Sequence, residues 1–370
     1  MVYAPRIILQ SLPSGEILDW AVPLGGADVT RVLTGPGALS GTLPEGYPFP
    51  VQEWGSALWV ESDGVFHGGG IVTTVEHADR EIRVSCTGIT GYAQDMPWLA
   101  KREDLIEVDP LDIVRKVWAH LQGQTGGDIR LDVDPLTSPV RVGEEEREVE
   151  FSTGQGDDVS FEAGPFRLNS VDTQDLAKTI EDLAADTPFD YVEETRWVGE
   201  QIRHRMRLGY PALGVDRSDF TLDTRVNLTV LPTLGFDEDE YASEILLVGA
   251  GEGRDAITAH VPQKPKRLRR VAVVTDKSLR SKASADRAAR EELAARTMDG
   301  EISNLVVADS PAAPLNVLQP GDTVRVTGPL ATGAFIDHKV RVVEMTRAVD
   351  DFSTAALTVI TEGRGSYGNG

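Results

Sequence analysis

Short apolar runs closed by Gly, Pro, Asp and Ser dominate both ends of this chain and predict strands. Arg6–Leu12 and Glu16–Val22 flank Pro13-Ser14-Gly15, a turn by its residue types. Ala57–Glu61 is followed by the turn Ser62-Asp63-Gly64 and by Val65-Phe66-His67. Gly68-Gly69-Gly70 then predicts a break in the strand, at a bulge or a sharp corner. Ile71–His77 and Glu81–Thr87 read as a further hairpin about Ala78-Asp79-Arg80. Strands at this spacing suggest a sandwich or a small barrel.

The period changes at Trp98. Asp109-Pro110 is a helix start, an N-cap acid before a proline at the first helical position. Leu111, Val114, Val117, Trp118 and Leu121 then recur at helical spacing until Gly123 supplies the stop. A second helix is predicted after Asp172, with Leu176, Ile180, Leu183 and Ala184 on one face, ending before Pro188. Between them, Glu144-Glu145-Glu146 reads as a solvated loop. Phe189–Glu193 and Gln201–Leu208 form a hairpin that closes this α/β piece.

From about Val215 the strand pattern returns, with Leu228–Leu231, then Asn304–Val307, Leu318–Val326, Val340–Val343 and Ala356–Ile360. Among them lies the segment 241–299. Ile245-Leu246-Leu247-Val248 leads into Gly249-Ala250-Gly251-Glu252-Gly253, which invites comparison with a dinucleotide fingerprint. The third glycine of that motif falls on Arg254, and Asp255–Val261 alternates without an apolar helical face before Pro262 and Pro265. Two strands joined by a glycine turn fit better than a phosphate cradle. Val271–Val274 is another strand. The helix predicted over 284–296 sets Ala285, Ala289 and Leu293 on a narrow face able to pack closely on a sheet. Asp286 to Arg290 and Glu292 to Arg296 are spaced for ion pairs on it. The glycine-rich stretch 363–370 reads as a flexible end.

Length and charge narrow the function. A chain of 370 residues suits two or three domains and buries sizeable cores without disulfides or metals. A net charge of -23 excludes the basic footprint of a simple nucleic-acid binder. No apolar run approaches the ~20 residues that span a bilayer, and the N-terminus is expected to carry no secretory leader. Synthesis and retention in a reducing cytoplasm are therefore expected.

Candidate chemistry is sparse. Cys86 shares a strand face with Ile82 and Val84 and reads as a buried structural thiol. His67, His77, His120, His204, His260 and His338 are scattered, without metal-ligand spacing. Asp132-Val133-Asp134 and Asp237-Glu238-Asp239-Glu240 do not continue into a calcium loop. There is no G-x-S-x-G elbow and no Cys-His pair, and abundant carboxylates alone do not mark a glycosidase. The basic segment Lys264–Arg270 reads as a linker, solvated or paired with acidic neighbours. The six tryptophans are dispersed and read mostly as core. No catalytic, cofactor-binding or metal-binding residues are assigned, and no cofactor is expected.

Several of these stretches resemble minor tail proteins of long-tailed phages of actinobacteria. They are Glu244–Asp255, Val273–Lys277 leading into Arg287–Leu293, the opening hairpin, Gly88-Ile89-Thr90-Gly91-Tyr92 and Leu318-Gln319-Pro320-Gly321-Asp322. Such proteins are similar to the baseplate hub of contractile-tailed phages. The resemblance implies an α+β, mainly β chain in which two small tube-type β-barrel domains flank an α/β insertion. The corresponding boundaries are 1–98, 99–214 and 215–362, the last with the helix near 284–296, and then the tail 363–370. It implies a homotrimer whose six barrels form a ring at the tail tip of the virion. The ring's partners would be the distal tail protein, the tape measure protein and other tip or fibre proteins. Genomic DNA would pass through its lumen without specific binding, and no membrane insertion is implied. Some hubs carry a cell-wall-cleaving domain, for which this chain is expected to have no room. The other classes to weigh are a tail-associated cell-wall hydrolase and a receptor- or carbohydrate-binding module, the latter favoured by aromatic residues clustered on an exposed face.

Overall fold

The computed structural model describes residues 5–78, 80–152, 158–171, 173–235, 241–251, 256–264, 268–276, 279, 282–296, 301–303 and 305–361. The first seven strands are β1 (Arg6–Ser11), β2 (Ile17–Asp19), β3 (Gly25–Val32), β4 (Ala38–Pro44), β5 (Ser56–Ser62), β6 (Val65–Ala78) and β7 (Glu81–Thr87). They pair antiparallel in the order β2-β1-β5-β6-β7-β4-β3. The sheet rolls around a core that includes Leu9, Val29, Leu39, Leu58, Val72 and Val84. Its ends are not paired with each other among the described residues. The linker after β2 instead returns to β1, where the Val22 N–H donates to the Ile7 carbonyl at 2.8 Å.

The strand runs on through the glycine triplet, but the expected bulge is present beside it: the register with β5 shifts from Val60 opposite Gly68 to Glu61 opposite Phe66. β6 continues to Ala78 and changes partner midway, so that Ile71 faces Ala57 of β5 and also Thr87 of β7. Glycine is needed because backbones approach closely there. A Cβ on Gly69, at φ +132°, would stand 2.1 Å from the Leu58 carbonyl oxygen, and one on Gly70 would stand 1.8 Å from that of Thr87. Such close contact is what glycine inside a strand serves.

β5 is buried along its whole length, because its two faces feed two cores. Leu58 and Val60 enter the roll, whereas Ala57 and Trp59 enter a second core shared with the middle of the chain. Cys86 lies in the rolled core with Val84, as the alternation implied, and burial pushes its thiol up to about 12. Since the thiolate is the reactive species, a disulfide reagent should leave the native protein untouched and titrate one thiol after denaturation. Rapid labelling of folded protein would contradict this burial.

The middle contains a 3-10 turn Ile89–Ala93, β8 (Glu103–Leu105), α1 (Pro110–Gln122), β9 (Leu131–Val133), β10 (Arg147–Ser152), β11 (Asp158–Ala163), β12 (Phe166–Leu168), α2 (Leu176–Asp186), β13 (Asp190–Val198) and β14 (Gln201–Gly209). Asp109 caps α1 through the Leu111 N–H at 3.0 Å and also accepts from the Ser138 N–H and hydroxyl, while Gly123 ends the helix. Leu111, Val114, Val117, Trp118 and Leu121 are all buried, as the helical spacing predicts. Asp175 caps α2 through the Lys178 N–H. Asp172 lies outside the described residues. The sheet β13-β14-β9 and both helices share the second core, and Glu144–Glu146 is exposed.

The last part holds β15 (Asp216–Asp223), β16 (Leu228–Val230), β17 (Thr233–Gly235), β18 (Glu244–Val248), β19 (Thr258–Pro262), β20 (Val271–Thr275), α3 (Lys282–Arg296), β21 (Glu301–Ser303), β22 (Leu305–Ala308), β23 (Thr323–Pro329), β24 (Phe335–Ala348) and β25 (Asp351–Thr361). A second roll, β15-β23-β24-β25-β22-β16, encloses Leu222, Val307, Val324, Val326, Val340 and Val342. β15 and β16 are joined by a turn in which Asn227 accepts from the Asp223 N–H and donates to the Thr221 carbonyl. The mainly β character expected from the strand pattern is present, but neither roll closes as a barrel by strand pairing among the described residues. They are also not separate sheets. β3 pairs antiparallel with β24, from Val32 opposite Glu344 to Asp28 opposite Ala348, and so joins both ends of the chain in one 13-stranded sheet.

β18, β19, β20 and α3 form a unit of their own within the second roll, entered and left through the antiparallel pair β17–β21. Ile245, Leu247, Ala259, Ala285, Ala289 and Leu293 make its core, so the narrow helix face packs on the sheet as its small residues allow. β18 and β19 pair antiparallel as the two expected strands, and 252–255 between them lie outside the described residues. Beyond the described glycines the chain returns as a strand, and the phosphate-binding reading has no helix to use. Of the two expected ion pairs on α3, Glu292–Arg296 forms at 2.6 Å, whereas Asp286 takes Lys282, one turn earlier, at 2.5 Å. The tail 363–370 lies outside the described residues.

Candidate functional site

The densest polar cluster lies where the hairpin β13–β14 meets both rolls. Its three contributors are the loop after β7, the hairpin itself and the loop before β23. Gly88-Ile89-Thr90 wraps the end of the Glu193 side chain. The Thr90 N–H and hydroxyl donate to Oε1 at 2.5 and 2.6 Å, and the Gly37 N–H donates to Oε2 at 3.1 Å. Gly88 is required by this closeness, since a Cβ there would stand 2.1 Å from Glu193 Oε2 and 2.4 Å from the Gly37 nitrogen. Burial raises the Glu193 carboxyl pKa, opposed by the hydrogen bonds from Thr90 and Gly37 and by nearby Arg31. Burial likewise depresses the Arg31 guanidinium, with Glu194 opposing the shift and Arg207 adding to it.

The second anchor is Leu318-Gln319-Pro320-Gly321-Asp322. Asp322 accepts from the Val215 N–H at 3.0 Å, from Arg217 Nε at 2.9 Å and from the Gln319 N–H at 3.1 Å. Gln319 accepts from Arg207 on β14 at 3.0 Å, and Arg207 also pairs with Glu194 at 2.9 Å. Gly214 and Gly321 pass so closely, at φ +97° and +99°, that a Cβ on Gly214 would stand 1.9 Å from the Gly321 carbonyl oxygen. Asp190 completes the joint by pairing with Arg341 of β24 and accepting from the Leu213 N–H. A cleft of about 210 Å³ remains between these parts, lined by Arg31, His67, Glu193, Glu194, Arg196 and Gln319 among others.

Chemically this cluster positions rather than reacts. Its carboxylates are occupied by arginines and backbone amides, the arrangement expected of a buried polar network that fixes one geometry. Two of the stretches singled out in the sequence, 88–92 and 318–322, thus meet on opposite sides of one hairpin. Their spacing in the chain gives no sign of this.

The other candidates are dispersed. Among the described residues, no group of three or more His, Cys, Asp and Glu could hold a metal ion. Asp134 is taken by Arg205 and the Leu208 N–H, and Asp237–Glu240 lie outside the described residues. His120 stacks on Trp98 at 4.2 Å, and His260 bonds Glu244 at 2.8 Å. Arg269, in the basic segment, pairs bidentately with Glu244 at 2.5 and 2.9 Å, as a linker with acidic neighbours would; 265–267 lie outside the described residues. Arg269 and then His260 pull the Glu244 carboxyl down to about 2. The tryptophans divide. Trp59, Trp98 and Trp118 are core, but Trp20 and Trp54 are exposed, and Trp20 stacks on Trp197 at 5.8 Å. With Trp197 packed against the same core, the reading of the set as mostly core holds for all but Trp20 and Trp54.

No family model matches this chain, and no curated protein matches it. Solved structures do share its fold. The prophage MuSo2 43 kDa tail protein from Shewanella oneidensis superposes with a TM-score of 0.60 at 14% identity, over 96% of this chain and 98% of that one. A tail protein from Neisseria meningitidis MC58 gives 0.56 at 15% identity, covering 98% of each. The prophage tail protein gp18 from Listeria monocytogenes EGD-e gives 0.55 at 13% identity, over 98% of this chain and 95% of that one. This chain therefore has the fold of phage tail proteins along nearly its full length.

Proposed function

We propose that this chain is a structural component of a phage tail and forms the hub at the tail tip. The observation that carries the reading is the pair of rolled sheets, one from each end of the chain, joined edge to edge through β3 and β24 in a fold shared with tail proteins. Three copies of two such rolls give six similar units around one axis, which matches a threefold tip to a sixfold tube. In this reading 1–98 and 215–362 supply the tube-type domains and 99–214 the insertion between them. The charged joint around β13–β14 then acts as a brace that holds the rolls at a fixed angle.

The ring joins the distal tail protein and the tape measure protein to the tip, in the virion, and acts without catalysis. The net charge of -23 suits a lumen that passes DNA without holding it, because like charge repels the phosphate backbone. Negative-stain electron microscopy of the concentrated protein tests the assembly. Threefold rings with a central hole are expected. A closed twofold dimer without a channel would defeat the hub reading.

A further inference from the structure

Two apolar patches with rims of opposite charge stay open on this chain. The first is the uncovered face of the sheet β19-β18-β20. α3 covers the side carrying Ile245, Leu247 and Ala259. The other side carries Leu246, Val271 and Val273, with Val273 64% exposed. β18 and β20 are parallel, and parallel strands are normally covered on both faces. At one end this face is rimmed by exposed Lys264, Arg269 and Arg270, with Glu244 as the acid beside them among the described residues. In a chain of charge -23 that is an unusual local excess of cations.

The second patch is aromatic. Trp20, 49% exposed, stacks on Trp197, and Phe66 packs on the same indole at 5.2 Å. Exposed Val65 and Val198, at the tips of the β5–β6 and β13–β14 turns, extend it. Asp63 and Glu200, both exposed, lie in the same two turns. Of the cations near it, Arg6, which lies over Trp20, pairs with Glu61, and Arg196 faces Asp132 at 3.8 Å.

We propose that these patches dock on each other between copies of this chain, head to tail. The aliphatic, basic-rimmed face of one copy covers the aromatic, acidic-rimmed patch of the next. Strongly acidic chains repel one another, so self-association needs local complementarity of this kind. A contact between two different patches propagates in one direction, and where its rotation closes it forms a ring that leaves no patch unused. The inference rests on the proposed multi-copy assembly and names the surfaces that build it.

The test uses the full chain, with assembly followed by sedimentation velocity. Val273→Asp and Trp20→Asp, both at exposed positions, should each weaken association by about tenfold or more, as loss of a central anchor does. Circular dichroism melts identify variants that fold, and Val271→Lys and Val65→Asp replace either one that does not. The decisive sample is an equimolar mixture of the two variants. Each retains the patch the other has lost, so the mixture should form one-to-one dimers and no rings. Variants that assemble like the unaltered chain overturn the docking and leave the hub reading standing. A mixture that stays monomeric, or an unaltered chain that never associates, also overturns it.

Discussion

Replacing Asp322 by Ala should lower the stability of the protein by about 3–5 kcal/mol, the range for removing one partner from a buried charge network. Asp322 is only 3% exposed and receives three hydrogen bonds, two from the stretch 215–217 and one from Gln319 in its own loop. Without it, the Val215 and Gln319 amides lose their acceptor and the Arg217 guanidinium loses its counter-charge, each close to where the hairpin linker meets β23. Asp322→Asn should recover little. In either orientation the amide nitrogen meets at least one N–H, that of Val215 on the Oδ1 side or those of Arg217 and Gln319 on the Oδ2 side, and the counter-charge of Arg217 is lost in both. The control is Asp337, which holds Arg325 through two bonds, at 2.6 and 2.7 Å, but on the surface. Asp337→Ala should leave the denaturant midpoint almost unchanged, since solvent screens an exposed pair. Equal midpoint losses for the two alanine variants would show that geometry, not burial, sets the value of these pairs.

The contrast between Asp322 and Asp337 also marks the boundary of what the sequence reveals. Local signals are legible because their causes are local. Asp109-Pro110 and Gly123 bound α1, the turn residues of 62–64 place β5 beside β6, and Ala285, Ala289 and Leu293 predict the packed face of α3. Asp322 and Asp337 look alike in the chain, and only the fold buries one of them. The edge pairing of β3 with β24 brings together Thr30 and Thr346, whose hydroxyls lie 2.8 Å apart across most of the chain's length. No periodicity encodes that. Gly68-Gly69-Gly70 is legible only in part, as a bulge against β5 but not as a strand that continues, for a related reason. The glycines answer to the Leu58 and Thr87 backbones of neighbouring strands, not to a turn of their own. The joint around Glu193 is partly visible in the sequence, since the stretches 88–92 and 318–322 stand out there, but their shared partner β13–β14 does not.

Acidification should destabilise this protein well before its surface carboxylates titrate, and His204 should be the main cause. It is 2% exposed, with Nδ1 against the Thr195 hydroxyl at 3.1 Å and its ring 4.7 Å from that of Trp59. Burial, with Arg130 and Arg203 adding to it, depresses its pKa from 6.5 to about 3. The folded imidazole therefore stays neutral while the unfolded chain takes up a proton below 6.5. Stability due to His204 is complete above that value and drains away as pH falls toward 3, because the unfolded state binds the proton first. By pH 4.5 the loss is roughly 2–3 kcal/mol, at 1.36 kcal/mol for each pH unit below the unfolded value. His67, held at about 4 by burial and then by Arg347 and Arg31, acts in the same direction over a narrower window. Glu193 opposes both. Its raised pKa means the folded state takes up that proton before the unfolded one, so its contribution improves as pH falls through the folded pKa. Melting temperatures between pH 7.5 and 4.5 measure the sum, and His204→Gln isolates the histidine's share, since glutamine cannot take up a proton in either state. The variant should be less stable than the natural chain at pH 7.5, where it lacks the His204 packing on Trp59, yet lose less on going to pH 4.5. Parallel slopes for the two proteins would move the acid sensitivity away from His204.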